Sequence, residues 1–182
     1  YIGRRKPQSH KYDYGRVLII AGSRDMSGAP ALCAMSAFRT GIGLVDIMTP
    51  VMHPSLPPEA LLSLIPMDDD GGMNVDSLMS KVKESLSKTN AIVCGPGLGI
   101  RAGQSIMQSL LELNPSIPVI LDADAIPSAS MKLPSNWVIT PHAGECARMT
   151  GIDRTELEQF PLSHITKIST SMECIVHLKS VP

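Results

Sequence analysis

Aromatic side chains are scarce in this chain: two Phe, three Tyr and one Trp make up 3% of its 182 residues. Eleven Met and a hydrophobic share of 43% stand in their place. The core must therefore be assembled from aliphatic side chains, Met and Ala, and the apolar share is too high for a disordered chain. The length suffices for one domain with a sizeable core, and a single domain over residues 1–182 is expected. An excess of one charge is also missing. Sixteen Lys and Arg against 17 Asp and Glu leave a net charge of −1 and a pI near 6.6. No electrostatic footprint for nucleic acid or an anionic membrane follows from that balance, although a local site for an anionic small molecule stays open. No run of about 18 apolar residues occurs, so no spanning helix is expected. The basic start, "YIGRRKPQSHK", has no apolar stretch behind it and does not read as a signal peptide. It also lacks an initiating Met, which leaves room for residues upstream. Cys33, Cys94, Cys146 and Cys174 form no CxxC pair. A zinc site is disfavoured, and free buried thiols in a reducing cytoplasm are expected.

What is present is an alternation. "RVLIIAG" (Arg16 to Gly22) reads as a buried strand and "GAPALCAMSAFRTG" (Gly28 to Gly41) as a helix of small residues closed by glycine. "GLVDIMTP" reads as a strand. "NVDSLMSKVKESLSK" is amphipathic, with Val75, Leu78, Met79, Val82 and Leu86 on one stripe. "AIVCG", "IPVILDAD", "NWVITP" and "CIVHLK" read as further strands. "GQSIMQSLLEL" and "AGECARMTG" read as helices, and "AIPSAS" as a turn or short helix. Strand–helix alternation predicts βαβ units and an α/β fold: a mostly parallel central sheet with helices on both faces. "MDDDGGM" (Met67 to Met73) is expected to be a solvated loop in which a flexible Gly-Gly gives three acids little preorganisation for a cation.

Ligands of open parallel sheets sit at the carboxyl ends of the strands. Those ends carry "GSRDMSGAP", "GPGLGIRAG", "DADAIP" and "TPHAGE" here. Each has a bland reading. "GPGLG" (Gly95 to Gly99) can expose N–H groups to an anion at a helix start, or it can be a tight turn. Asp122 can face a ligand, and Asp124 can cap the helix that follows it. His142 in "ITPHAGE" can contact a ligand or satisfy turn backbone. Glu145 can serve no more than the helix macrodipole. The small residues from Ser23 to Ala29 can pack helix on sheet or leave room for a flat ligand.

"SHKYDYGRVLIIAGSRDMSGAPALCAMSAFRTGIGLV", "AIVCGPGLG", "VILDADAI" and "VITPHAGECARMTG" occur in that order, and together they resemble the ATP/ADP-dependent NAD(P)H-hydrate dehydratases. The resemblance runs from about Ser9 to Lys179. It implies a ribokinase-like fold and the repair of NADH and NADPH hydrated on the nicotinamide ring. ADP or ATP with Mg²⁺ phosphorylates the ring hydroxyl, and the phosphate is then eliminated. It further implies that Ala29, Gly97, Gly99 and His142 contact the hydrate, that Lys179 helps to hold the nucleotide, and that the protein is a cytoplasmic homo-oligomer. Asp122, Asp124 and Glu145 are further candidates.

Departures from the family pattern are Tyr12 in place of Gly, Pro127 in place of Asn, Ala143 in place of Pro, and Lys179-Ser180-Val181 in place of Lys-Gly-Ala. The Gly-Thr/Ser-Gly-Asp motif, which the family uses for the phosphoryl anion hole and the base, would come after residue 182. A C-terminally incomplete sequence is therefore expected, with no catalytic residue of its own and no dehydration by residues 1–182 alone. Two other readings stand beside this one: a ribokinase-like kinase of the hydroxyethylthiazole type, and a non-catalytic nucleotide-binding chain.

Overall fold

The computed structural model describes residues 5–179. The two longest apolar runs become β1 (Arg16–Ile20) and β2 (Leu44–Thr49), which are buried along nearly their whole length, as strands covered on both faces must be. β3 (Leu61–Leu64) pairs with the outer side of β2. β4 (Ala91–Cys94), β5 (Val119–Leu121), β6 (Val138–Ile139) and β7 (Ile175–Val176) extend the sheet on the other side of β1. The order is β3-β2-β1-β4-β5-β6-β7, and every pairing is parallel. All carboxyl ends therefore lie along one edge.

Six α-helices connect the strands: α1 (Ala29–Arg39), α2 (Val75–Ser85), α3 (Ile100–Leu113), α4 (Ala143–Thr150), α5 (Arg154–Gln159) and α6 (Pro161–Met172). Their ends follow from local chemistry. Asn74 caps α2 by accepting from the Ser77 N–H at 2.9 Å. Asn114 ends α3 in the left-handed conformation, and Gly151 does the same for α4.

The crossover from β1 to β2 runs one way across the sheet, whereas those from β3 to β7 run the other way. Right-handed crossovers then place α1 on one face and the remaining helices on the opposite face. Two cores result. Val17, Ile19, Val45 and Ile47 pack with Ala34 of α1. Leu18, Ile20, Ile92, Leu121 and Ile139 pack with Leu78, Ile106, Cys146 and Met172. Of the predicted α2 stripe, Leu78, Met79 and Val82 are buried, and Val75 and Leu86 lie against the core.

Three elements fall where no element is read in the sequence. β3 is an exposed edge strand between prolines, with no alternation of burial. α5 and α6 lie in a polar, Ser/Thr-rich stretch interrupted by Pro161, which serves as the first residue of α6. The Met67–Met73 loop is solvated only in part: Asp69 and Asp70 are exposed, whereas Gly71 and Met73 are buried, and its Gly-Gly is fixed in a turn. The Asp68 N–H donates to the Gly72 carbonyl at 2.9 Å, and the Gly72 N–H donates to Asp68 Oδ1 at 2.8 Å.

Gly103, inside α3, lies against the chain that follows β5. A Cβ there would stand 2.4 Å from the Asp124 carbonyl oxygen. Helix propensity favours alanine over glycine by about 1 kcal/mol, but overpacking of this kind costs about 1–3 kcal/mol. Gly103→Ala is expected to lower the denaturant midpoint, whereas Gln108→Ala on the exposed side of α3 should stay within about 0.5 kcal/mol of the parent. A Gly103→Ala variant more stable than the parent would overturn the contact.

Candidate functional site

Five adjacent strand ends supply the candidate residues, and backbone contacts bring them together. Beyond β4, Gly95 carries no side chain because there is no room for one: a Cβ would sit 1.7 Å from the Asp122 carbonyl oxygen. Gly97 has φ +68, and a Cβ on it would meet the Cβ atoms of Ala29 and Met26 at 2.9 Å. The "GPGLG" loop is thus wedged between the start of α1 and the end of β5. The Gly22 N–H adds a bond to the Pro96 carbonyl at 2.9 Å. Gly99 differs: nothing lies within 4 Å of the place its Cβ would take, so it faces open space.

Asp124 does not cap a helix after its own strand, as one reading of the sequence suggests. It lies within the 3-10 turn Ala123–Ala125 and accepts from the Gly99 N–H at 2.9 Å, tying the glycine loop at the start of α3. That N–H belongs to the N-cap residue of α3, a glycine with no side chain to cap the helix. Gln104 strengthens the seam by donating to the Asp124 and Ile126 carbonyls, both at 2.9 Å.

The second cluster links the ends of β5, β6 and β7. His142 is the N-cap of α4. Its Nδ1 accepts from the Gly144 N–H at 3.0 Å and from the Glu145 N–H at 3.2 Å. A nitrogen that accepts from backbone N–H groups is unprotonated, so the neutral ring carries its proton on Nε2. Glu145, largely buried, completes a capping box by accepting from the His142 N–H at 2.8 Å, and its other oxygen stands 3.3 Å from His142 Nε2. Lys179 reaches back from beyond β7 to pair with Asp122, and it lies 3.7 Å from Glu145. Asp122 also accepts from the Thr140 hydroxyl at 2.8 Å. The Lys179 N–H donates to the Pro141 carbonyl at 2.8 Å, which places the chain end alongside His142. Ser180 and Val181, which continue the Lys-Ser-Val stretch, lie outside the described residues.

Ala29, Gly97 and Gly99 therefore meet on one side of Asp122, and His142, Glu145 and Lys179 meet on the other. The sequence reading did not single out Thr140, Gln104, Arg24 or Arg101. Thr140 had a signal, since it precedes Pro141 at a strand end, whereas Gln104 is one polar residue among several in a helix. A cavity of about 470 Å³ opens beside Gly99 and is lined by Ser23, Arg24, Asp68, Asp70 and Arg101 among others, but not by His142, Asp122 or Lys179. Arg101 pairs with Asp70 across its mouth. Among the described residues, no group of three or more His, Cys, Asp or Glu converges as a metal site. All four cysteines are unpaired. Burial pushes the Cys174 thiol up to about 11, and burial together with the charge of Asp122 does the same to Cys33.

The sequence profile of the NAD(P)H-hydrate dehydratase family matches residues 17–181. The bifunctional NAD(P)H-hydrate repair enzyme Nnr of Methanopyrus kandleri is 33% identical over 180 residues, covering 98% of this chain and 35% of that protein. The ADP-dependent (S)-NAD(P)H-hydrate dehydratase of Staphylococcus aureus is 36% identical over 161 residues, covering 83% of this chain and 54% of that protein. The crystal structure of the ADP/ATP-dependent NAD(P)H-hydrate dehydratase from Bacillus subtilis, co-crystallised with ATP/Mg²⁺, superposes with a TM-score of 0.76 at 31% identity, over 97% of this chain and 62% of that one. The chain thus spans from about a third to three fifths of the length of these relatives. Its parallel sheet with helices matches the ribokinase-like dehydratase structure, and it belongs to the NAD(P)H-hydrate dehydratase family.

Proposed function

We propose that this chain supplies the substrate- and nucleotide-holding part of an enzyme that dehydrates NAD(P)H hydrate at the expense of ADP or ATP. The observation that carries the reading is the alignment of Ala29, the Gly97–Gly99 loop, His142 and Lys179 along one carboxyl edge. Hydroxide is a poor leaving group and phosphate a good one. Phosphorylation of the ring hydroxyl followed by elimination therefore restores the dihydronicotinamide ring and releases inorganic phosphate. Residues 1–182 are read as one ribokinase-like unit acting in the cytoplasm as part of a homo-oligomer.

Roles follow from the free valences. The Nδ1 of His142 is committed to backbone and its Nε2 stands 3.3 Å from Glu145 Oε1, so a ligand would take the Nε2–H in competition with Glu145, on a side chain that is 56% exposed. Gly99 offers open space beside the uncapped start of α3, where an oxyanion or a flat ring can approach the backbone. Lys179 is 40% exposed, and nucleotide phosphates can take the place of its carboxylate partners. Mg²⁺ would arrive with the phosphates, since it keeps several waters and needs only one or two carboxylates from a protein. Asp122 is the nearest such group, being 26% exposed and already turned toward Lys179.

No acid in the two clusters is free to act as the base. Asp122 is paired with Lys179 and Thr140, Asp124 with the Gly99 N–H, and Glu145 with the His142 N–H. The family resemblance implies a base for the hydroxyl proton beyond residue 182, so residues 1–182 alone are expected to bind nucleotide and hydrate without turnover. Recovery of dihydronicotinamide absorbance by this chain with ATP or ADP and Mg²⁺ would refute that placement.

Two substitutions in the catalytically complete enzyme test the assigned roles. His142→Ala removes both a helix cap, worth about 1 kcal/mol, and a ligand donor, worth about 1–3 kcal/mol. His142→Asn restores the cap through its side-chain oxygen. Stability should return in the Asn variant, while kcat/KM for the hydrate stays one to two decades down. If kinetics recover along with stability, the histidine is a cap alone. Lys179→Met should weaken ADP or ATP binding in titration calorimetry by about one to two decades, as loss of a charged hydrogen bond worth about 1.5–3 kcal/mol requires, and leave hydrate binding near the parent value. Unchanged nucleotide affinity would remove Lys179 from the site.

A further inference from the structure

The cavity beside Gly99 lies outside both clusters. It measures about 470 Å³, within the range of small-molecule sites. Two of its walls are the chain after β1 and the start of α3, and the third is the Met67–Met73 loop. The first two walls carry the same two kinds of side chain: Arg24 and Met26 on one, Ile100 and Arg101 on the other. Met26 is 45% exposed and Ile100 60%, so both apolar side chains are open to whatever enters. The guanidiniums converge. Arg101 pairs with Asp70, and Arg24 lies over Gly71, where a Cβ would stand 3.7 Å from its Cζ. Asp70 and Gly71 are adjacent, with Cα atoms about 3.8 Å apart, so the two cationic groups reach the same point of the loop from opposite walls.

Neither guanidinium is firmly engaged. Among the described residues the ion-paired arginines are Arg16, Arg101 and Arg154, so Arg24 has no carboxylate partner. The Arg101–Asp70 pair has side chains 83% and 59% exposed, and pairs so open to water are weakly held. Three acids also line the cavity, and they set what an anion must overcome. Asp68 is turned to its own loop, accepting from the Gly72 N–H at 2.8 Å. Asp25 is exposed. Asp70 is the direct competitor, since a phosphate reaches Arg101 by displacing it. A phosphate monoester carries more charge than one carboxylate and matches the guanidinium fork, so the exchange favours phosphate. Apolar flanks beside two guanidiniums suit a flat heteroaromatic ring joined to a phosphate. Lys179 does not line the cavity, so the group it takes is not part of the phosphoryl donor. Gly99 does line it and is also a contact assigned to the hydrate, which makes the cavity a continuation of the hydrate's own path.

We propose that this cavity receives the adenosine half of the hydrated dinucleotide, and that Arg24 and Arg101 bind the 2′-phosphate of that half, so that the protein selects NADPH hydrate over NADH hydrate while Asp70 restrains the preference. The 2′-phosphate is the one group by which the two substrates differ, and in doubly wound dinucleotide folds an arginine near the ribose accommodates it. The proposal rests on the dehydratase reading for the identity of the ligand, but not for the existence of the anion site.

Two measurements test it. In the catalytically complete enzyme, the ratio of kcat/KM for NADPH hydrate to that for NADH hydrate should fall by about tenfold or more in Arg24→Ala and in Arg101→Ala, as loss of a charged hydrogen bond requires. The same ratio should rise in Asp70→Asn, where the competing charge is gone, and stay at the parent value in Arg39→Ala, at the far end of α1. An equal loss on both substrates, or an unchanged ratio in the two cavity variants, overturns the proposal and leaves the dehydratase reading in place. Titration calorimetry needs no turnover. Adenosine 2′,5′-bisphosphate, added with excess ADP present to occupy the donor site, should bind the parent and bind each arginine variant about tenfold or more weakly. Adenosine 5′-phosphate should show no such dependence. Bisphosphate binding that is insensitive to both arginines overturns the proposal. Binding that depends on them, in a protein that dehydrates neither hydrate, upholds the anion site and sinks the dehydratase reading instead.

Discussion

The candidate site depends on backbone pressed against backbone between the glycine loop and the chain after β5. Gly95 abuts the Asp122 carbonyl and Gly103 the Asp124 carbonyl, at distances that no side chain could fit. The loop and the acidic turn are therefore one rigid object. Asp122 and Asp124 have fixed backbone positions, so their carboxylates have fixed tasks, one toward Lys179 and one toward the Gly99 N–H. This seam converts two separate strand ends into a floor, and His142 and Ala29 stand on either side of it.

Electrostatics along that floor favour exchange over permanence. The Lys179–Asp122 pair has side chains 40% and 26% exposed, and a pair so open to solvent contributes only about 0–1 kcal/mol to stability. Giving it up to a phosphate therefore costs little, and a di- or triphosphate offers Lys179 more charge than one carboxylate does. Glu145 is different. It is 8% exposed and is held by the His142 N–H, so it acts as part of the cap rather than as a movable acid. The two nitrogens of the histidine face different neighbours, Nδ1 the backbone of α4 and Nε2 the Glu145 carboxylate.

Much of the fold was legible in the sequence, because apolar runs of period two and stripes of period 3.6 are properties of single segments. β1, β2 and α2 were readable for that reason. β3 was not, since its strand character comes from pairing with the outer side of β2 and its residues are exposed. α5 and α6 were not, since they carry few apolar residues and are held by packing on α4 and one another. For the site, residue types at strand ends were legible but their partners were not. Whether Asp124 caps the turn it sits in or the start of α3 depends on a contact 25 residues back along the chain, which no local pattern records. Equally, "PHAGE" is compatible with cap and with ligand contact. The structure assigns the cap to Nδ1 and sets Nε2 3.3 Å from Glu145.

Handedness connects the site to the two faces of the sheet. Two connections, β1 to β2 and β2 to β3, run toward the β3 side, and only the first carries a helix, so right-handed connection places α1 by itself on its face and crowds the others together on the opposite one. The carboxyl edge, however, belongs to neither face. Its loops are fixed by strand register, by the Gly95 and Gly103 contacts and by the Lys179 return, all of which are satisfied without anything over Val93, Ile120 or Val138. Closing the second face would therefore act mainly on stability, by removing aliphatic surface from water at about 25 cal/mol per Å². The ligand-facing geometry is set by the edge itself. The geometry of the edge and the covering of the sheet are therefore separable in this architecture.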